Sequence, residues 1–258
     1  MAQNLPLTVV IIAKNEEANI EEGLKSVYNW ADEIIVVDDL STDKTAEISK
    51  KYARVLTRRM ENEGIHRNWA YAQARNNWVL SLDADEKVTP ELQEEIRREI
   101  SSTTHAAFDI PLKTFIGNYW VKHGGWYPAS KVRLFRKDKF KYEEVQVHPR
   151  AFIDGTCGHL KKDIIHKGYP DFEHLLASLN RQTTLEAQKW FDTKRKYTCG
   201  LMLWRATDRF FRKYVRKAAW KDGLYGFMIA YCDSLYQFLS YVKYREIVNR
   251  KKVTQDKV

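Results

Sequence analysis

Two apolar runs in the first part of the chain end in acidic residues, and this pattern constrains the fold most strongly. Residues 78–82 (WVLSL) lead into Asp83-Ala84-Asp85-Glu86, and residues 34–37 (IIVV) lead into Asp38-Asp39. Two carboxylates at the end of a buried strand cost free energy unless a cation lies beside them. Mg²⁺ and Mn²⁺ prefer carboxylate oxygens and substrate phosphates. Because ligands of parallel α/β sheets bind at the carboxyl ends of the strands, the pattern predicts a nucleotide-diphosphate site at that edge.

Strand and helix patterns alternate through the first half of the chain. Residues 7–13 (LTVVIIA) form a continuous apolar run, which is typical of a strand covered on both faces. Further strands are predicted, with helices between them, at 33–37, 55–56 and 78–83. One of these helices is expected to open at Ser41-Thr42-Asp43, because such side chains cap free amides. This order favours an α/β fold with a mostly parallel sheet flanked by helices.

The second half of the chain has a different texture. Residues 108–166 predict short strands and long loops, and the chain is helical in pattern from residue 171 onward. We therefore expect a nucleotide-binding and catalytic domain at 1–170 and a helical C-terminal extension at 171–258.

Composition bounds the class of protein. Apolar residues make up 44% of the 258 residues, which excludes a disordered chain. The three cysteines are widely spaced and form neither a zinc pattern nor a disulfide framework, which suits a reducing compartment. The N-terminus lacks the parts of a signal peptide, and residues 223–242 contain Asp233 and Gln237 in an otherwise apolar stretch. We expect a cytoplasmic protein in which residues 223–242 are buried or interfacial rather than membrane-spanning.

Positive charge is concentrated near the C-terminus. The formal net charge is +9, and residues 193–221 hold ten Lys or Arg against one acid, Asp208. Trp204, Phe211 and Val215 fall on one helical face with Asp208, surrounded by basic residues. This pattern suits an anionic membrane surface, and an ordinary amphipathic helix that packs on the catalytic domain is the alternative. No recognised nucleic-acid-reading motif accompanies the basic residues, so we expect no nucleic-acid partner.

Three residues are candidate metal ligands. Side chains at i and i+2 of a strand point the same way, so Asp83 and Asp85 can address one site. We expect Asp85 to bind a metal and Asp83 to bind the metal or a ribose hydroxyl, with an acidic surface turn as the alternative. His166 follows the apolar pair at 164–165 and either binds the metal or a phosphate or is structural.

Further residues at the same sheet edge are candidates for substrate binding. Asp38 or Asp39 is expected to accept a hydrogen bond from a nucleobase N–H or a ribose hydroxyl. The alternative is that one of them caps the following helix, and both roles can coexist in adjacent residues. Asn15 and Glu16, just past the first strand, either bind the nucleotide or form a turn. Arg67 is placed with them as a substrate-binding residue.

The middle of the chain supplies candidates for the acceptor side. A transferase that activates a sugar hydroxyl needs a general base, and Glu144 and His148 are the candidates, with an exposed acidic turn as the alternative. Trp126 follows two glycines and offers an aromatic face for a sugar, or else packs in the core. Arg133 lies in a basic run, one member of which is expected to reach the diphosphate.

Eight segments together resemble a known family. The resemblance is to family 2 inverting glycosyltransferases with the GT-A fold, in the bacterial branch that includes lipopolysaccharide core β-glucosyltransferases acting on a heptose. It rests on VVIIAKNEE (9–17), VVDDLSTDKT (36–45), LSLDADE (80–86), GGWYP (124–128), KVRLFRK (131–137), VHP (147–149), DIIHKGY (163–169) and WKDGLYGFMIAY (220–231), and spans nearly the whole chain.

The resemblance implies roles for residues already singled out. It places nucleotide contacts on Asn15, Glu16, Asp38 and Asp39, and it makes Asp83 and Asp85 the metal and diphosphate motif. One departure concerns the base: many relatives have Glu where this chain has Pro149. Because proline has no side chain that accepts a proton, the role moves to Glu144 or His148.

These features predict a metal-dependent inverting glycosyltransferase that uses Mn²⁺ or Mg²⁺. It would move a hexose from a nucleotide sugar, most simply a UDP-hexose, to a glycolipid or lipopolysaccharide-core acceptor, while attached peripherally to the inner face of the cell membrane. One alternative is a sugar nucleotidyltransferase, which needs a glycine-rich loop after the first strand, where this chain has KNEE (14–17). The other is a non-enzymatic basic protein that binds nucleic acid or membranes.

Overall fold

The chain forms two compact units. The computed structural model describes residues 4–145 and 149–255, with side chains through Lys251. The first unit comprises Met1–Lys113 and Ala129–Lys167, and the second comprises Thr114–Pro128 and Gly168–Val258. The second unit therefore takes a short middle segment as well as the helical region expected from residue 171 onward.

Strands dominate the first unit and helices the second. The described strands are β1 (Leu5–Ala13), β2 (Ala31–Asp38), β3 (Arg54–Thr57), β4 (Trp78–Asp83), β5 (Glu86–Val88), β6 (Ala107–Ile110), β7 (Leu112–Ile116), β8 (Tyr119–Trp120), β9 (Lys131–Arg136), β10 (Phe140–Tyr142), β11 (Ala151–Ile153), β12 (Cys157–His159) and β13 (Ile164–Tyr169). The described α-helices are α1 (Ile20–Val27), α2 (Thr45–Ser49), α3 (Glu63–Ala72), α4 (Pro90–Ser102), α5 (Phe172–Asp192), α6 (Cys199–Phe211) and α7 (Gly223–Gln255).

A seven-stranded sheet forms the centre of the first unit, in the order β12-β6-β9-β4-β1-β2-β3. Strand β1 lies parallel between β2 and β4, and β3 lies parallel beside β2. Strand β9 runs antiparallel between β4 and β6. The predicted α/β fold with a mostly parallel sheet is confirmed, and β9 is the antiparallel exception.

The strand register brings the acidic ends together. Ile12 of β1 pairs with Val37 on one side and with Asp83 on the other, and Ala13 pairs with Asp38. The carboxyl ends of β2 and β4 therefore lie at the same level, on opposite sides of β1. Both predicted acidic strand ends reach one edge of the sheet, where open α/β sheets bind ligands.

Both faces of the sheet are covered, as the continuous apolar runs predict. Val9 and Ile11 of β1 pack in one core with Leu24 of α1, whereas Val10 packs on the other face with Tyr71 of α3. Each fully buried aliphatic side chain stabilises the fold by about 1.5–3 kcal/mol relative to an exposed one. This double-sided core gives the acidic edge a rigid base.

The helix after β2 begins later than the sequence predicts. Helix α2 starts at Thr45, whose N–H and hydroxyl both donate to Asp43 Oδ1. Ser41 and Thr42 instead bond to Asn15 in the loop after β1. Asp43 thus caps the first turn of α2, whereas Ser41 and Thr42 join the loop after β2 to the loop after β1.

The second unit contains the β7–β8 pairing and helices α5 to α7. Asp222, which is 4% exposed, accepts hydrogen bonds from the backbone N–H groups of Lys122 and His123 (3.1 and 2.7 Å). A Cβ on Gly226 of α7 would lie 1.7 Å from the Ala219 carbonyl oxygen. Only glycine at this position therefore allows the turn Ala219–Asp222 to pack against α7. None of the described helices is long and apolar enough to cross a membrane.

Candidate active site

The loops after β1 and β2 are joined by hydrogen bonds. The Asn15 N–H donates to Ser41 Oγ at 2.9 Å, and Asn15 Oδ1 accepts from the Thr42 N–H at 2.8 Å. The Glu16 N–H donates to Thr45 Oγ1 at 2.7 Å. Asn15 has a φ of +54°, a conformation that Asn adopts more readily than most residues. Asn15 and Glu16 therefore build a turn at the predicted sheet edge, and their contact with a nucleotide stays a prediction.

Asp38 and Asp39 are both 3% exposed, but they have different partners. Asp39 accepts from the Met60 N–H at 2.8 Å and pairs with Lys14 Nζ at 3.0 Å. Burial acts to raise the pKa of Asp39, but these two partners outweigh it and lower the pKa. Asp38 Oδ2 accepts from the Ser41 N–H at 3.1 Å, whereas no described residue donates to the buried Oδ1. Asp38 thus retains one acceptor oxygen for a ligand N–H or hydroxyl.

Asp83 lies between two guanidinium groups. Arg67 Nη2 donates to Asp83 Oδ1 at 3.1 Å, and Arg133 Nη2 donates to Asp83 Oδ2 and to Glu86 Oε1. Burial acts to raise the pKa of Asp83, but Arg133 and Arg67 outweigh it and hold the pKa well below its usual range. Arginine side chains therefore supply a cation beside this carboxylate, and the binding of a metal or a ribose hydroxyl by Asp83 stays a prediction.

Arg133 is buried rather than open to a diphosphate. The residue is 2% exposed, and its two carboxylate partners include Glu86, which is 1% exposed. Burial raises the pKa of Glu86 even though Arg133 acts to lower it. The geometry gives no support to the expected contact of Arg133 with the diphosphate, because its guanidinium neutralises the acidic turn after β4. Arg67, with a side chain 15% exposed, has the same kind of role at the other oxygen of Asp83.

Asp85 has a different environment from Asp83. Its Oδ2 lies 3.1 Å from His166 Nε2, and the two side chains are 20% and 22% exposed. The pairing of β13 with β5 sets His166 opposite Glu86 and so brings the imidazole to this turn. Burial acts to lower the pKa of His166, but the hydrogen bond and charge of Asp85 outweigh it and raise the pKa. A carboxylate beside an imidazole suits Mn²⁺ better than Mg²⁺.

Asp85 and His166 fit a metal that is shared with a substrate. Among the residues that the structure describes, no group of three or more His, Cys, Asp and Glu side chains is arranged to hold a metal ion. An ion at this pair would therefore complete its coordination with phosphate oxygens and water, as is usual for divalent ions at nucleotide sites. The donor set fits a diphosphate-dependent site rather than a closed structural one.

Glu16 experiences the electrostatic field of this acidic turn. Its pKa is raised mainly by burial, and the charges of Asp85, Asp43 and Asp83 raise it further against the opposing hydrogen bond from Asn19. The loops after β1, β2 and β4 therefore form one anionic edge. Such an edge attracts a cation and, through it, a phosphate.

Glu144 is exposed beside the start of α3. Its side chain is 51% exposed and lies 2.8 Å from Lys141 Nζ. The Gly64 N–H donates to the Val145 carbonyl at 3.2 Å, and a Cβ on Gly64 would lie 1.8 Å from the Glu143 carbonyl oxygen. This glycine lets the loop lie directly against the helix that also carries Arg67. His148, the other candidate base, lies outside the described residues.

Three residues near the site were not assigned a role from the sequence. Lys14 pairs with Asp39, and Glu86 closes the acidic turn through Arg133. His66 of α3 is 1% exposed, and neither ring nitrogen completes a hydrogen bond in the described chain. The sequence could have indicated roles for Lys14 and Glu86, because each lies next to candidate site residues. A single histidine in an amphipathic helix gives no such indication.

Trp126 belongs to the second unit. It is partly buried and packs in a core with Leu175 and Ile229, and its ring centroid lies 6.3 Å from that of Tyr169. The core-packing alternative is therefore realised at least in part. The same side chain also lines a cavity of the second unit.

Comparison with known proteins identifies the family. The family model for glycosyl transferase family 2 matches residues 8–168. An uncharacterized glycosyltransferase of Rickettsia bellii is 43% identical over 255 residues, covering 93% of this chain and 86% of the relative. The lipopolysaccharide core biosynthesis glycosyltransferase LpsC of Rhizobium meliloti is 25% identical over 252 residues, covering 94% and 93%. The crystal structure of S. aureus TarS 1-349 in complex with UDP aligns with a TM-score of 0.50 at 17% identity, covering 94% and 92%.

The sheet, its acidic edge and these matches define an enzyme of glycosyl transfer. The chain belongs to glycosyl transferase family 2. The predictions of a glycosyltransferase and of its GT-A-type α/β fold are confirmed. Membership favours this class over the nucleotidyltransferase and the non-enzymatic basic protein considered from the sequence.

Proposed function

We propose that this enzyme moves a hexose from a UDP-sugar to a hydroxyl of a glycolipid or lipopolysaccharide-core acceptor, with inversion at the anomeric carbon. The observation that carries the proposal is the meeting of acidic loops at one sheet edge, with Asp38 and Asp83 on opposite sides of β1 and Asp85 just beyond. The relation to LpsC supports the acceptor class. TarS shares the fold and was solved with UDP, which makes UDP the first nucleotide to test.

The donor nucleotide is assigned to the loops after β1 and β2. Asp38 Oδ1 is buried with no donor from the described chain, so a nucleobase N–H or a ribose hydroxyl would satisfy it. A buried acceptor without a donor costs about 1–3 kcal/mol, and ligand binding recovers part of that cost. Lys14 and Met60 hold Asp39 beside it, and Asn15 and Glu16 fix the loop geometry.

The diphosphate end of the donor is assigned to the turn after β4. Asp85 and His166 would hold a divalent cation there, which when bound supplies Lewis-acid stabilisation to the leaving diphosphate. Arg67 and Arg133 keep Asp83 ionised and fix the turn that carries Asp85. Because both arginine partners are already in place, the turn needs little reorganisation when substrate arrives.

The acceptor is activated by a base that removes its hydroxyl proton. The acceptor oxygen attacks the anomeric carbon from the face opposite the diphosphate, the bond to the diphosphate breaks, and the electron pair leaves on the phosphate oxygen. We assign the role of this base to Glu144, which is exposed to an incoming hydroxyl, or to His148.

The second unit supports attachment to an anionic membrane surface. Its apolar side chains Trp204, Phe211, Val215 and Trp220 are all more than half exposed. An amphipathic helix with its apolar face packed on the protein would bury such residues. Four basic side chains near them, Arg212, Arg216, Lys217 and Lys221, are also exposed.

Helix α7 continues this apolar surface. Leu224, Phe227, Tyr231, Phe238 and Val242 are exposed large hydrophobics, and their spacing of three, four, seven and four residues sets them on one face of the helix. The Phe227 ring lies 6.0 Å from the Phe210 ring of α6, so the stripe joins the aromatic side chains of that helix. A contiguous apolar surface with basic neighbours fits the interfacial zone of a bilayer that carries a lipid-borne acceptor.

Calorimetry with UDP tests the donor assignment. UDP should bind in the presence of Mn²⁺, and Asp38→Ala should weaken it by about 1–3 kcal/mol through loss of a buried acceptor. Asp32→Ala, an exposed acid that pairs with Arg75, is the matched control and should leave UDP binding unchanged. Absence of UDP binding, or tighter binding of another nucleotide, would overturn the UDP assignment. A hydrolysis screen of nucleotide sugars with Mn²⁺ then identifies the sugar.

A further inference from the structure

A cavity of about 110 Å³ lies within the second unit. The aromatic residues Trp126, Tyr169 and Tyr236 line it together with Asp233, and Leu175 and Ile229 are part of its apolar wall. At about 10–15 Å³ per water on this measure, the space holds roughly eight waters, which is on the order of one sugar ring. The cavity is therefore large enough for a small ligand and too small for a peptide or a nucleotide.

The polar groups of this cavity have unused hydrogen-bonding capacity. In the described chain, no hydrogen bond is made by the Trp126 indole N–H or by the hydroxyls of Tyr169 and Tyr236. Among the residues that the structure describes, Asp233 has one cationic partner, Lys213, at 3.4 Å, although a carboxylate accepts about four hydrogen bonds. Burial raises the pKa of Tyr236 to about 12, so its hydroxyl remains a donor at neutral pH.

This combination of groups selects a class of ligand. Flat aromatic faces cover the apolar C–H face of a ring, while a carboxylate and phenol hydroxyls bond to groups at its edge. A purely apolar ligand would leave the polar groups of the cavity rim without hydrogen bonds, and a phosphate would be repelled by the Asp233 carboxylate. A neutral polyhydroxylated ring satisfies both the aromatic walls and the polar rim.

We infer that this cavity binds a sugar residue of the acceptor. The identification of this sugar as part of the acceptor rests on the proposed glycosyl transfer. The binding of a sugar to the second unit does not depend on it. Trp126 would stack on the ring, and Asp233 and Tyr236 would bond to its hydroxyls. The aromatic residue expected from the sequence to contact a sugar is then part of an acceptor site built by the second unit.

Saturation-transfer NMR on the full chain, with methyl glycosides of common hexoses and a heptose as probes, tests the inference. At least one glycoside should receive saturation from wild-type protein, and Trp126→Leu and Asp233→Asn should reduce the signal at least 5-fold. Trp220→Leu is the control, because Trp220 is 54% exposed and does not line the cavity. With the acceptor that binds, the cavity variants should raise the acceptor KM at least 10-fold and leave donor hydrolysis unchanged.

The outcomes separate the two proposals. If no glycoside is saturated, or if Trp126→Leu and Trp220→Leu behave alike, the cavity is not a sugar site. If binding follows the cavity variants but no nucleotide sugar is hydrolysed, the cavity inference holds and the proposed transfer fails. Tyr236→Phe, which removes one oxygen, replaces Trp126→Leu if the larger change lowers the melting temperature, and its failure to weaken binding would count against the inference.

Discussion

The acidic edge of the first unit and the exposed helices of the second differ in whether their energetically unfavourable groups have partners within the fold. At the acidic edge, Asp83 and Glu86 share Arg133, which is almost fully buried. On the helices of the second unit, Trp204 and Leu224 are 64% and 69% exposed without cover from the described chain. The first region contains costly charges with partners inside the fold, and the second contains costly apolar area without them.

This difference indicates where each region finds its function. A buried ion cluster holds one geometry, because removing any member leaves a charge without compensation. Such rigidity is what a catalytic edge needs in order to place Asp85. An uncovered apolar surface reduces solubility and gains stability only when a partner covers it. On the proposed function, the first region acts through geometry that is already set, and the second through association with a membrane.

The largest expected effect concerns the base at the first unit. Glu144→Gln should lower turnover by about 10²–10⁴-fold with donor affinity nearly unchanged, because a base acts on the acceptor proton only in the transition state. Steady-state rates and UDP calorimetry give the two quantities. Glu143→Gln is the control and should stay close to wild type. If Glu144→Gln and His148→Ala are both active, the base lies outside this segment.

Removal of the shared arginine tests whether the acidic edge is held by its ion pairs. Arg133→Met should lower the free energy of unfolding by about 3–5 kcal/mol, since it leaves Asp83 and Glu86 without their buried partner. Chemical denaturation measures the change. Arg75→Met is the matched control, because its partner Asp32 lies at the surface and the pair should contribute little. Equal stability of the two variants would show that the cluster is not held in this way.

The parallel core was predictable from sequence for a local reason. Strands β1, β2 and β4 each contain an apolar run, and each run leads directly into residues that form the site. The same few sequence positions therefore predict both the strand and the site. Parallel order then brings the strand ends together without knowledge of any individual side chain.

The ion pairs and the exposed face were not predictable, because they depend on distant residues. Arg133 reaches Asp83 across 50 positions, through the antiparallel insertion of β9 between β4 and β6. His166 reaches Asp85 only through the pairing of β13 with β5. An amphipathic pattern in α6 also indicates a helix without indicating whether another element covers its apolar side.

Loss of the metal site should affect turnover while leaving the ion cluster intact. Asp85→Asn keeps the shape of the side chain and removes its charge, so transfer should fall by at least about 10²-fold. Its stability should stay near that of wild type, unlike that of Arg133→Met, and excess Mn²⁺ should restore part of the activity. Activity that is unaffected by both this variant and EDTA would contradict a metal-dependent mechanism.

The smallest effect per residue is expected at the basic helices of the second unit. Each basic residue near an anionic bilayer contributes about 1 kcal/mol of attraction, which salt screens. Reversal of Arg212, Arg216, Lys217 and Lys221 to Glu should release the protein from anionic vesicles in a flotation assay at low salt. Lys213 is left unchanged, because it is half-buried and lies 3.4 Å from Asp233.

Two further variants separate charge from burial at this surface. Reversal of four exposed basic residues of the first unit, Lys50, Lys51, Arg98 and Lys162, changes the net charge equally and should leave flotation intact. Replacement of Phe227 and Tyr231 by Ser should remove the part of binding that persists at high salt, because burial of apolar area is not screened. If the wild-type protein does not float with anionic vesicles at low salt, the exposed helices do not bind membranes, and a soluble acceptor becomes the better assignment.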